Sequence, residues 1–365
     1  MLTPDSGTQA ALDAEARSTL PEWGLRPGQW RVTGAVAGAQ GGLLRPVIEI
    51  EGASWLLRRQ APDLTESDTR FRHTFMRQLS DAGLPVPRLR PRPDGRTWAL
   101  DDKGIVELQE YLPGAAYATD DPRARDWLAA AAETLGALHQ ASAEFDWQPF
   151  RWPEEHSAAG LALAYIQRIR AAAGSAPSER IRTGLERIAD VSDARVAGAM
   201  NLLTPGQPGP PQLHIHGDYQ PHNLAFGETR VSAIYDFDAA RWEQRIYEVA
   251  YALFFFTGLR WDATSSLTPA LVDDGLDILR VHSFLSAYGR EAPPAEDEAE
   301  LLASALTLVF PVVFANGVAE DIVFADDYEG ALDEDDALAR LAWADRFWLW
   351  LDRYAGILAQ AWENA

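Results

Sequence analysis

The sequence predicts an α+β protein in which a small, strand-rich part precedes a larger helical part. Three observations lead to this prediction. Short apolar runs separated by Gly-rich turns fill the first third of the chain. Long segments with a helical period of apolar residues fill the remainder. The chain of 365 residues is also long for one hydrophobic core, so two lobes or domains are expected.

The strand-rich part begins after an extension of 27 residues that is expected to be loose or helical. Five strand-like runs follow: QWRVTGAVA, LLRPVIEIEG, SWLLRRQ, TWALDD and IVELQEYL. Between the third and fourth, RFRHTFMRQLSDAGLP places Phe71 and Phe75 on one helical face, and Gly83 ends this helix. The composition becomes helical near Leu112–Gly114, which is the predicted boundary.

The second part is expected to consist of long helices. The first is RARDWLAAAAETLGALHQASAEF, whose apolar residues follow a clear helical period. Tryptophans recur at helical spacing near the end of the chain, which favours core packing over a ligand cage. The uncharged run 301–319 approaches membrane-spanning length, but Pro311 and Gly317 interrupt it. No Lys or Arg lies near enough to anchor it, so a buried core helix is expected.

Composition argues against several classes of function. The formal net charge of −22 argues against nucleic-acid binding, which depends on an excess of cations. Without cysteine, thiolate chemistry and disulfides are excluded, and metal ligands must be oxygen or imidazole. The first residues do not resemble a signal peptide, so we expect a soluble, cytoplasmic protein that does not associate with membranes. The acidic composition suits a cationic small substrate, but it is also an ordinary solubility feature.

The strongest chemical signal is the stretch HIHGDYQPHNLAFGETRVSAIYDFD, residues 214–238. Its first strand is expected to bend at Gly217 and present Asp218, and its second strand to deliver Asp236. Adjacent strand ends would bring Asp218, Asn223 and Asp236 into one pocket. Phosphoryl transfer needs a carboxylate for the hydroxyl proton and hard oxygen ligands for magnesium. Ordinary turn-forming Asp and Asn residues are the alternative, but this combination and spacing favour a site.

These motifs resemble those of a known superfamily. HGDYQPHN followed by IYDFD is similar to the catalytic and metal-binding motifs of aminoglycoside phosphotransferases, choline kinases and type II homoserine kinases. The resemblance extends to LRR, LSDAGLPVPR, LQEYLPG and TLGALHQAS, and covers roughly residues 28 to 255. It implies a bilobal protein-kinase-like fold: an N-lobe with a five-stranded antiparallel sheet and one helix, and a mainly helical C-lobe.

The resemblance also implies a division of the chain. The expected parts are an extension (1–27), a nucleotide-binding N-lobe (28–108), a hinge (109–114) and a C-lobe (115–365). Within the C-lobe, the expected segments are the catalytic loop (214–226), the metal-binding segment (231–238) and the substrate-binding helices (255–365).

Residue by residue, the resemblance implies Asp218 as the catalytic base, and Asn223 and Asp236 as Mg²⁺ ligands. His216 would brace the catalytic loop, and Asp238 would support the metal or the loop.

For the nucleotide, the carbonyl of Glu110 and the amide of Leu112 would meet the adenine edge. The AGAQGG turn, with Gly38 and Gly41, would cover the phosphates with backbone N–H groups, although such turns also simply join strands. ATP or GTP is the implied co-substrate. Within the catalytic loop, Gln220 and His222 are candidate contacts to the acceptor.

One position departs from the family pattern. The third strand of the family normally carries a lysine that contacts the α- and β-phosphates, and Arg58 occupies that position here. The only lysine, Lys103, lies in a predicted turn. A guanidinium binds phosphate bidentately, so Arg58 is expected to hold the phosphates. Arg59 should point to the opposite face of the sheet.

The helix glutamate that pairs with the lysine is missing as well. Its usual place falls at Arg72 or His73. Glu66 or Asp68 would be the alternative partner of Arg58 if the helix began sooner.

The predicted function is therefore Mg²⁺-dependent transfer of the γ-phosphate of ATP or GTP to a hydroxyl of a small molecule. An aminoglycoside-like, choline-like or homoserine-like acceptor would each fit, and the sequence does not indicate the oligomeric state. Two alternatives remain open: a nucleotide-binding pseudokinase with a regulatory role, because the ion pair is altered, and a Ser/Thr protein kinase of the same fold.

Overall fold

A five-stranded antiparallel sheet organises the first of the two units into which the chain divides. This unit comprises Met1–Ala115 and Ser232–Asp238, and the second comprises Ala116–Val231 and Ala239–Ala365. The structure is a computed structural model that describes residues 5–37, 44–60, 64–147, 150–151, 153–203, 209–261, 270–271, 275–319 and 333–364. The sequence analysis had assigned 231–238 to the helical lobe, whereas Ser232–Asp238 groups with the sheet.

The sheet contains the five strands that the sequence predicted. They are β1 (Trp30–Ala37), β2 (Leu44–Ile50), β3 (Ala53–Arg59), β4 (Trp98–Asp101) and β5 (Gly104–Glu110). Their spatial order is β1-β2-β3-β5-β4. Alternate side chains of the strands, such as Leu57 and Val106, enter a hydrophobic cluster on one face. Because side chains alternate along a strand, Arg58 and Glu107 point to the other face.

The N-terminal extension packs on the hydrophobic face of this sheet. It consists of α1 (Ser6–Thr19) and a 3₁₀ turn (Leu20–Trp23), and both contribute side chains to the cluster. Arg59 reaches the same side, where it pairs with Glu15 of α1 at 3.0 Å and with Asp101 at 2.8 Å. The prediction that Arg59 points away from the Arg58 side is confirmed.

The helix between β3 and β4 is α2 (Glu66–Asp81), which begins four residues before the predicted segment. A capping box explains the earlier start. The hydroxyl of Thr65 accepts from the N–H of Asp68, whose carboxylate accepts from the N–H of Thr65. As predicted, the chain leaves the helix through Gly83, whose φ of +89° is in the left-handed region.

The rest of the chain is mainly helical. Its helices are α3 (Ala124–Ala143), α4 (Ala158–Gly174), α5 (Glu179–Leu203), α6 (Arg245–Thr257), α7 (Ile278–Glu291), α8 (Leu302–Val313) and α9 (Glu334–Glu363). The strands are β6 (Gln212–Ile215), β7 (Leu224–Phe226), β8 (Val231–Ile234), β9 (Arg241–Gln244), β10 (Leu259–Arg260) and β11 (Ala270–Leu271). β6 and β9 pair as antiparallel neighbours, so the segments on either side of the catalytic loop are tied together.

The apolar run that approaches membrane-spanning length forms α8 and the π-helical turn Phe314–Ala319. Among the residues that the structure describes, Ala299–Asn316 is the one stretch long and apolar enough to cross a membrane, and 72% of it is buried. It packs against α4, α5 and α6 of the same unit. This burial is typical of a core helix, as the sequence predicted.

Candidate active site

Asp218 lies in the loop after β6, immediately after a bend that requires glycine. Gly217 has φ +85°, and a Cβ at this position would lie 2.0 Å from the carbonyl oxygen of Ala239. The N–H groups of His216 and Gly217 both donate to the carboxylate of Glu248, at 3.1 and 2.5 Å. The bend is therefore fixed by sterics and by an anion beneath it.

Glu248 on α6 is the buried anchor of this loop. Its carboxylate also lies 2.9 Å from Nε2 of His139, whose other ring nitrogen lies 2.8 Å from the hydroxyl of Tyr288. Burial acts to raise the pKa of Glu248. This effect is outweighed by the hydrogen bond and charge of His139, the charge of His216 and the N–H of Gly217, so the pKa lies below its ordinary value. The residue therefore stays ionised and can hold the two N–H groups of the bend.

Three side chains hold the carboxylate of Asp218. Its Oδ1 accepts from the hydroxyl of Tyr251 at 2.6 Å and from the amide of Gln220 at 2.8 Å. Its Oδ2 accepts from the amide of Asn223 at 2.7 Å. The loop motif pointed to Gln220 and Asn223. It did not point to Tyr251, because an aromatic residue at helical spacing on α6 is also typical of core packing.

Asn223 is oriented in a way that suits a cation ligand. Its Nδ2 makes both hydrogen bonds, to the carboxylate and, at 2.8 Å, to the backbone carbonyl of Asp218. This leaves Oδ1, the kind of oxygen that Mg²⁺ prefers. Within the described part of the chain, no three or more His, Asp or Glu side chains form a metal-binding group.

In the first unit, Asp236 follows β8 in a left-handed backbone conformation, with φ +63°. Residues other than glycine rarely adopt this conformation, and it persists where surrounding contacts enforce it. Here Ile234 donates its N–H to the carbonyl of Pro85 at 2.8 Å. The carboxylates of Asp236 and Asp238, each 25% exposed, both accept from Nη2 of Arg58, at 2.8 and 2.5 Å. The segment is therefore tied to β3.

Arg58 itself is buried, with 4% of its side chain exposed. Its Nη1 donates to Glu107, which lies directly opposite on β5, at 3.1 Å. Burial acts to lower the pKa of Arg58, but the charges of Asp238, Asp236 and Glu107 outweigh burial and raise the pKa well above its ordinary value. Arg58 is thus a permanent cation among three carboxylates.

The hypothesis that Glu66 or Asp68 pairs with Arg58 is wrong. Glu66 accepts from the indole N–H of Trp98 at 3.2 Å. Asp68 caps α2 through its contact with Thr65. Both carboxylates are used at the N-terminal end of the helix, where the partial positive charge of the helix dipole favours them.

Helix α2 instead contributes a cation. Arg72, at one of the two positions where the resemblance implied a glutamate, forms an ion pair with Asp238 and is 3% exposed. A second nitrogen of its guanidinium donates to the side-chain oxygen of Gln60 at 2.7 Å. Helix α2 therefore contributes a positive charge to this group of ions, where the resemblance implied a negative charge.

The acidic partner comes from β5. Glu107 is 1% exposed, and besides Arg58 it accepts from the amides of Gln60 at 2.5 Å and Gln109 at 2.6 Å. It also lies 2.7 Å from Nε2 of His73. Burial acts to raise the pKa of Glu107, but His73 and then the arginines outweigh burial and lower the pKa well below its usual range. Glu107 is thus an ionised, fully hydrogen-bonded counter-ion that the motifs did not reveal.

Two backbone groups of the predicted hinge are occupied by a side chain. The N–H of Leu112 donates to the hydroxyl of Tyr235 at 2.9 Å, and this hydroxyl donates to the carbonyl of Leu112 at 2.7 Å. Glu110 pairs through its side chain with Arg88 at 2.8 Å. The Leu112 amide, predicted to meet adenine, therefore has a phenol partner that was not expected from the sequence.

Arg45 on β2 is a cation that the sequence analysis did not identify. It is half-buried, and it forms no hydrogen bond or ion pair with any residue that the structure describes. Burial, followed by the charge of Arg58, lowers its pKa, and Asp236, Asp238 and Glu107 oppose this shift. Arg45 therefore lies within electrostatic reach of the group around Arg58. Its position three residues after the Gly-rich turn was the available sequence signal.

The remaining predicted contacts are His222, Gly38 and Gly41. His222 is solvent-exposed, yet its ring lies edge-on to Trp261 with centroids 4.5 Å apart, and desolvation by the nearby protein lowers its pKa. Trp261 neighbours Phe255 at 6.2 Å, and Phe255 neighbours Tyr251 at 4.7 Å. An aromatic row thus runs from the partner of Asp218 to His222. Gly38 and Gly41 lie outside the described residues.

The structure thus brings the predicted residues together in two groups. Asp218, Asn223 and Gln220 meet in the second unit, where Nδ1 of His216 accepts from the N–H of Asp218 at 3.2 Å. Asp236 and Asp238 meet Arg58 in the first unit.

Residues 36–302 of the chain match a family model described as the phosphotransferase enzyme family. No curated protein matches the sequence. Solved structures are similar in fold. An aminopropanol kinase associated with a microcompartment shares 16% identity, with a TM-score of 0.60, over 95% of this chain and 98% of that chain.

A choline kinase from Cryptosporidium parvum Iowa II shares 14% identity, with a TM-score of 0.59, over 97% of this chain and 98% of that chain. An amicoumacin kinase in complex with AMP-PNP, Ca²⁺ and Ami shares 14% identity, with a TM-score of 0.59, over 96% of this chain and 93% of that chain. At these identities the likeness concerns the fold, and it confirms the predicted protein-kinase-like fold class.

Proposed function

This chain belongs to the phosphotransferase enzyme family, and we propose that it transfers the γ-phosphate of ATP or GTP to a hydroxyl of a small amine-bearing molecule. Membership of the family makes it a small-molecule phosphotransferase. The nucleotide and the acceptor are the proposed parts. The observation that carries the proposal is the carboxylate of Asp218, which Tyr251, Gln220 and Asn223 hold in one orientation on a braced loop.

Asp218 is proposed to orient the acceptor hydroxyl and to receive its proton. Phosphoryl transfer requires little covalent chemistry from the protein, so catalysis depends on positioning and charge. The contacts from Glu248 to the backbone of His216 and Gly217 serve this purpose, because they prevent the loop from relaxing around the carboxylate. Gln220 is near enough to Asp218 to act on both the base and the acceptor.

Asn223 and Asp236 are the proposed Mg²⁺ ligands, and Asp238 the supporting carboxylate. When bound, Mg²⁺ would neutralise charge on the phosphate oxygens. These oxygen ligands fit Mg²⁺. Asn223 uses its Nδ2 for hydrogen bonds to Asp218, so its Oδ1 can bind the ion. Asp236 presents a partly exposed carboxylate from a left-handed backbone conformation. Arg58 fixes Asp236 and Asp238 from behind.

For the nucleotide, we retain Glu110 and Leu112 as the proposed base-contacting residues and Gly38 and Gly41 as proposed phosphate-covering residues. Arg58 remains a proposed source of positive charge toward the phosphates. The cytoplasm, where nucleoside triphosphates are abundant, is the proposed location.

The aromatic row favours an acceptor that carries an amine. Phe255 and His222 are its more exposed members, and the row ends at Tyr251, which touches Asp218. Aromatic faces attract cations, so an amine on the acceptor would be held beside the base that orients its hydroxyl. The net charge of −22 also suits a cation. Aminopropanol and choline, named for two similar structures, are acceptors of this chemistry.

The test is turnover on a panel of amino alcohols, amino sugars and neutral alcohols, read as coupled ADP or GDP release with Mg²⁺ present. We expect at least one amine-bearing alcohol to be phosphorylated. Asp218→Asn should lower kcat by about a hundredfold or more while nucleotide affinity is kept. Asp190→Asn, at an exposed α5 site, is the matched control and should behave as wild type. Wild-type turnover in the Asp218 variant would refute the role assigned to Asp218. Phosphorylation of neutral alcohols alone would refute the proposal that the acceptor carries an amine.

A further inference from the structure

Within the proposed function, on which this inference rests, we infer that Arg45 makes the direct contact to the nucleotide phosphates, and that Arg58 is a positioning residue. Two cations would then share the tasks that the sequence analysis assigned to Arg58 alone. Arg45 would face the ligand, and Arg58 would hold the two aspartates of the metal-binding segment.

The contacts of Arg58 leave it little capacity for a phosphate. Its two terminal nitrogens are engaged with three carboxylates, at 3.1, 2.8 and 2.5 Å, and its side chain is 4% exposed. Three of its five N–H donors are thus in use, and burial of the side chain restricts the access of a phosphate oxygen to the others.

The charge of Arg58 acts on Arg45, so the two side chains lie within electrostatic reach of each other. Pairing of β2 with β3 runs from Ile50↔Ala53 to Val47↔Leu56, and the same register extended by two residues would set Arg45 opposite Arg58. Arg58 in turn pairs with Glu107. Arg45, Arg58 and Glu107 therefore form one row across three strands, on the face away from the hydrophobic cluster.

Arg45 is the member of this row that forms no ion pair with a residue in the described part of the chain. Two like charges directly opposite each other across strands are destabilising unless an anion compensates them. Arg58 has its anions. Arg45 has no hydrogen bond or ion pair among the described residues. It is also only three residues beyond the Gly-rich segment that is expected to cover the phosphates. The polyphosphate of a nucleotide would supply the anion that compensates the charge of Arg45.

The charges of the group fit a polyanion as well. Three arginines (Arg45, Arg58 and Arg72) and three carboxylates (Glu107, Asp236 and Asp238) sum to zero. Without Arg45 the sum is −1, and the group would repel a phosphate. Arg45 is therefore the charge that makes this face of the sheet acceptable to a nucleotide.

The experiment is a calorimetric titration with Mg²⁺–ATP, with Mg²⁺ and inorganic tripolyphosphate, and with adenosine. Arg45→Gln should weaken ATP and tripolyphosphate binding by about tenfold to a hundredfold and leave adenosine binding unchanged. Arg45→Lys should recover part of the loss. The control is Arg31→Gln on β1, where the arginine side chain is 71% exposed. This variant should bind all three ligands as the wild type does.

Steady-state kinetics separate the two arginines. Arg45→Gln should raise the KM for ATP more than it lowers kcat, because it removes binding. Arg58→Lys keeps the charge but replaces two terminal nitrogens with one compact ammonium, which loosens Asp236 and Asp238, so it should lower kcat more than it raises KM. The inference is overturned if Arg45→Gln binds tripolyphosphate as wild type, or if Arg58→Lys alone loses phosphate-dependent affinity.

The inference and the proposed function fail in different ways. If tripolyphosphate binding depends on Arg45 but no acceptor is ever phosphorylated, the proposed function is wrong and the inference stands. If the wild-type protein binds neither Mg²⁺–ATP nor tripolyphosphate, both are wrong.

Discussion

The hydroxyl of Tyr235 makes two hydrogen bonds to the backbone of Leu112, accepting from its N–H at 2.9 Å and donating to its carbonyl at 2.7 Å. A purine edge offers a donor and an acceptor side by side, and the phenol already occupies the Leu112 amide, one of the two backbone groups proposed to meet the base. Tyr235 directly precedes the proposed metal ligand Asp236. A base that binds Leu112 must therefore compete with the residue next to that ligand.

Removal of this competitor should strengthen nucleotide binding. Tyr235→Phe abolishes about 1 kcal/mol of competing hydrogen bonding, which corresponds to about fivefold tighter binding of Mg²⁺–ATP. Calorimetric Kd values for Mg²⁺–ATP and adenosine would both fall, because the gain concerns the base. Tyr354→Phe, on helix α9 of the second unit, is the control and should change neither value. Unchanged or weaker adenosine binding in Tyr235→Phe would show that the base does not use Leu112.

Tyr251 should matter for chemistry and not for nucleotide affinity. Burial and then the charge of Asp218 raise the pKa of Tyr251 well above its ordinary value, so the phenol remains a donor throughout the neutral range. Tyr251→Phe removes a charge-assisted hydrogen bond, and kcat should fall by about tenfold.

The pH dependence of Tyr251→Phe provides a second readout. The lost donor stabilised the ionised form of Asp218, so the acidic limb of the kcat profile should move to higher pH. KM for ATP should stay constant, and Tyr354→Phe should leave the profile unmoved. An acidic limb at the wild-type position would mean that Tyr251 only packs against the loop.

Glu107 should contribute strongly to stability. Glu107→Gln leaves Arg58 with one ionic partner fewer in a buried place, and we expect the free energy of unfolding in urea to fall by about 3 kcal/mol. Glu49→Gln removes an exposed pair with Arg31 and should cost less than about 1 kcal/mol. Equal effects of the two changes would contradict the assignment of Glu107 as the counter-ion.

The effect of Glu107 should depend on pH in a defined direction. The pKa of Glu107 is lower in the folded protein than the ordinary glutamate value of 4.5. Its contribution is therefore fully present above that value and is lost as the pH falls through the folded pKa. Unfolding free energies measured from pH 7 downwards should converge for wild type and Glu107→Gln in acid. A constant difference at all pH values would refute the ionic contribution.

The bend before Asp218 should not tolerate a side chain. Gly217→Ala would force a Cβ to within 2.0 Å of a backbone carbonyl at a positive φ, which should cost about 2 kcal/mol or more and most of the activity. Gly198→Ala is the matched control, because no atom lies within 4 Å of a Cβ at this α5 position. It should stabilise the protein by up to about 1 kcal/mol. Near-normal kcat in Gly217→Ala would mean that the loop conformation is not needed.

Local rules predicted a large part of the fold and of the catalytic loop. The five strands follow from short apolar runs between turn residues, and each is present. The period of apolar residues predicts a start of α2 near residue 70, whereas the capping box of Thr65 and Asp68 begins the helix at Glu66. Asp218, Asn223 and Gln220 lie within five residues of one another, so a motif can specify their contacts.

The partners of Arg58 and Tyr235 show where local rules end. Glu107 lies 49 positions from Arg58, and Leu112 lies 123 positions from Tyr235. The sequence shows that the helix glutamate is missing, but it does not show that Glu107 on the neighbouring strand β5 replaces it. Glu107 becomes the counter-ion through sheet register, which depends on pairing along whole strands and not on the residues around either partner.

The sequence by itself determined the fold class, the membership of a phosphotransferase-like superfamily and the residues of the catalytic loop, because these depend on periodicity and short spacings. Only the tertiary structure decided that Arg72 pairs with Asp238, that Glu107 pairs with Arg58, and that Arg45 lies within electrostatic reach of Arg58 but forms no ion pair with the described residues. The physical reason is that a buried charge is stabilised by whichever opposite charge packing brings within reach. That choice is made by the register and packing of elements distant in sequence.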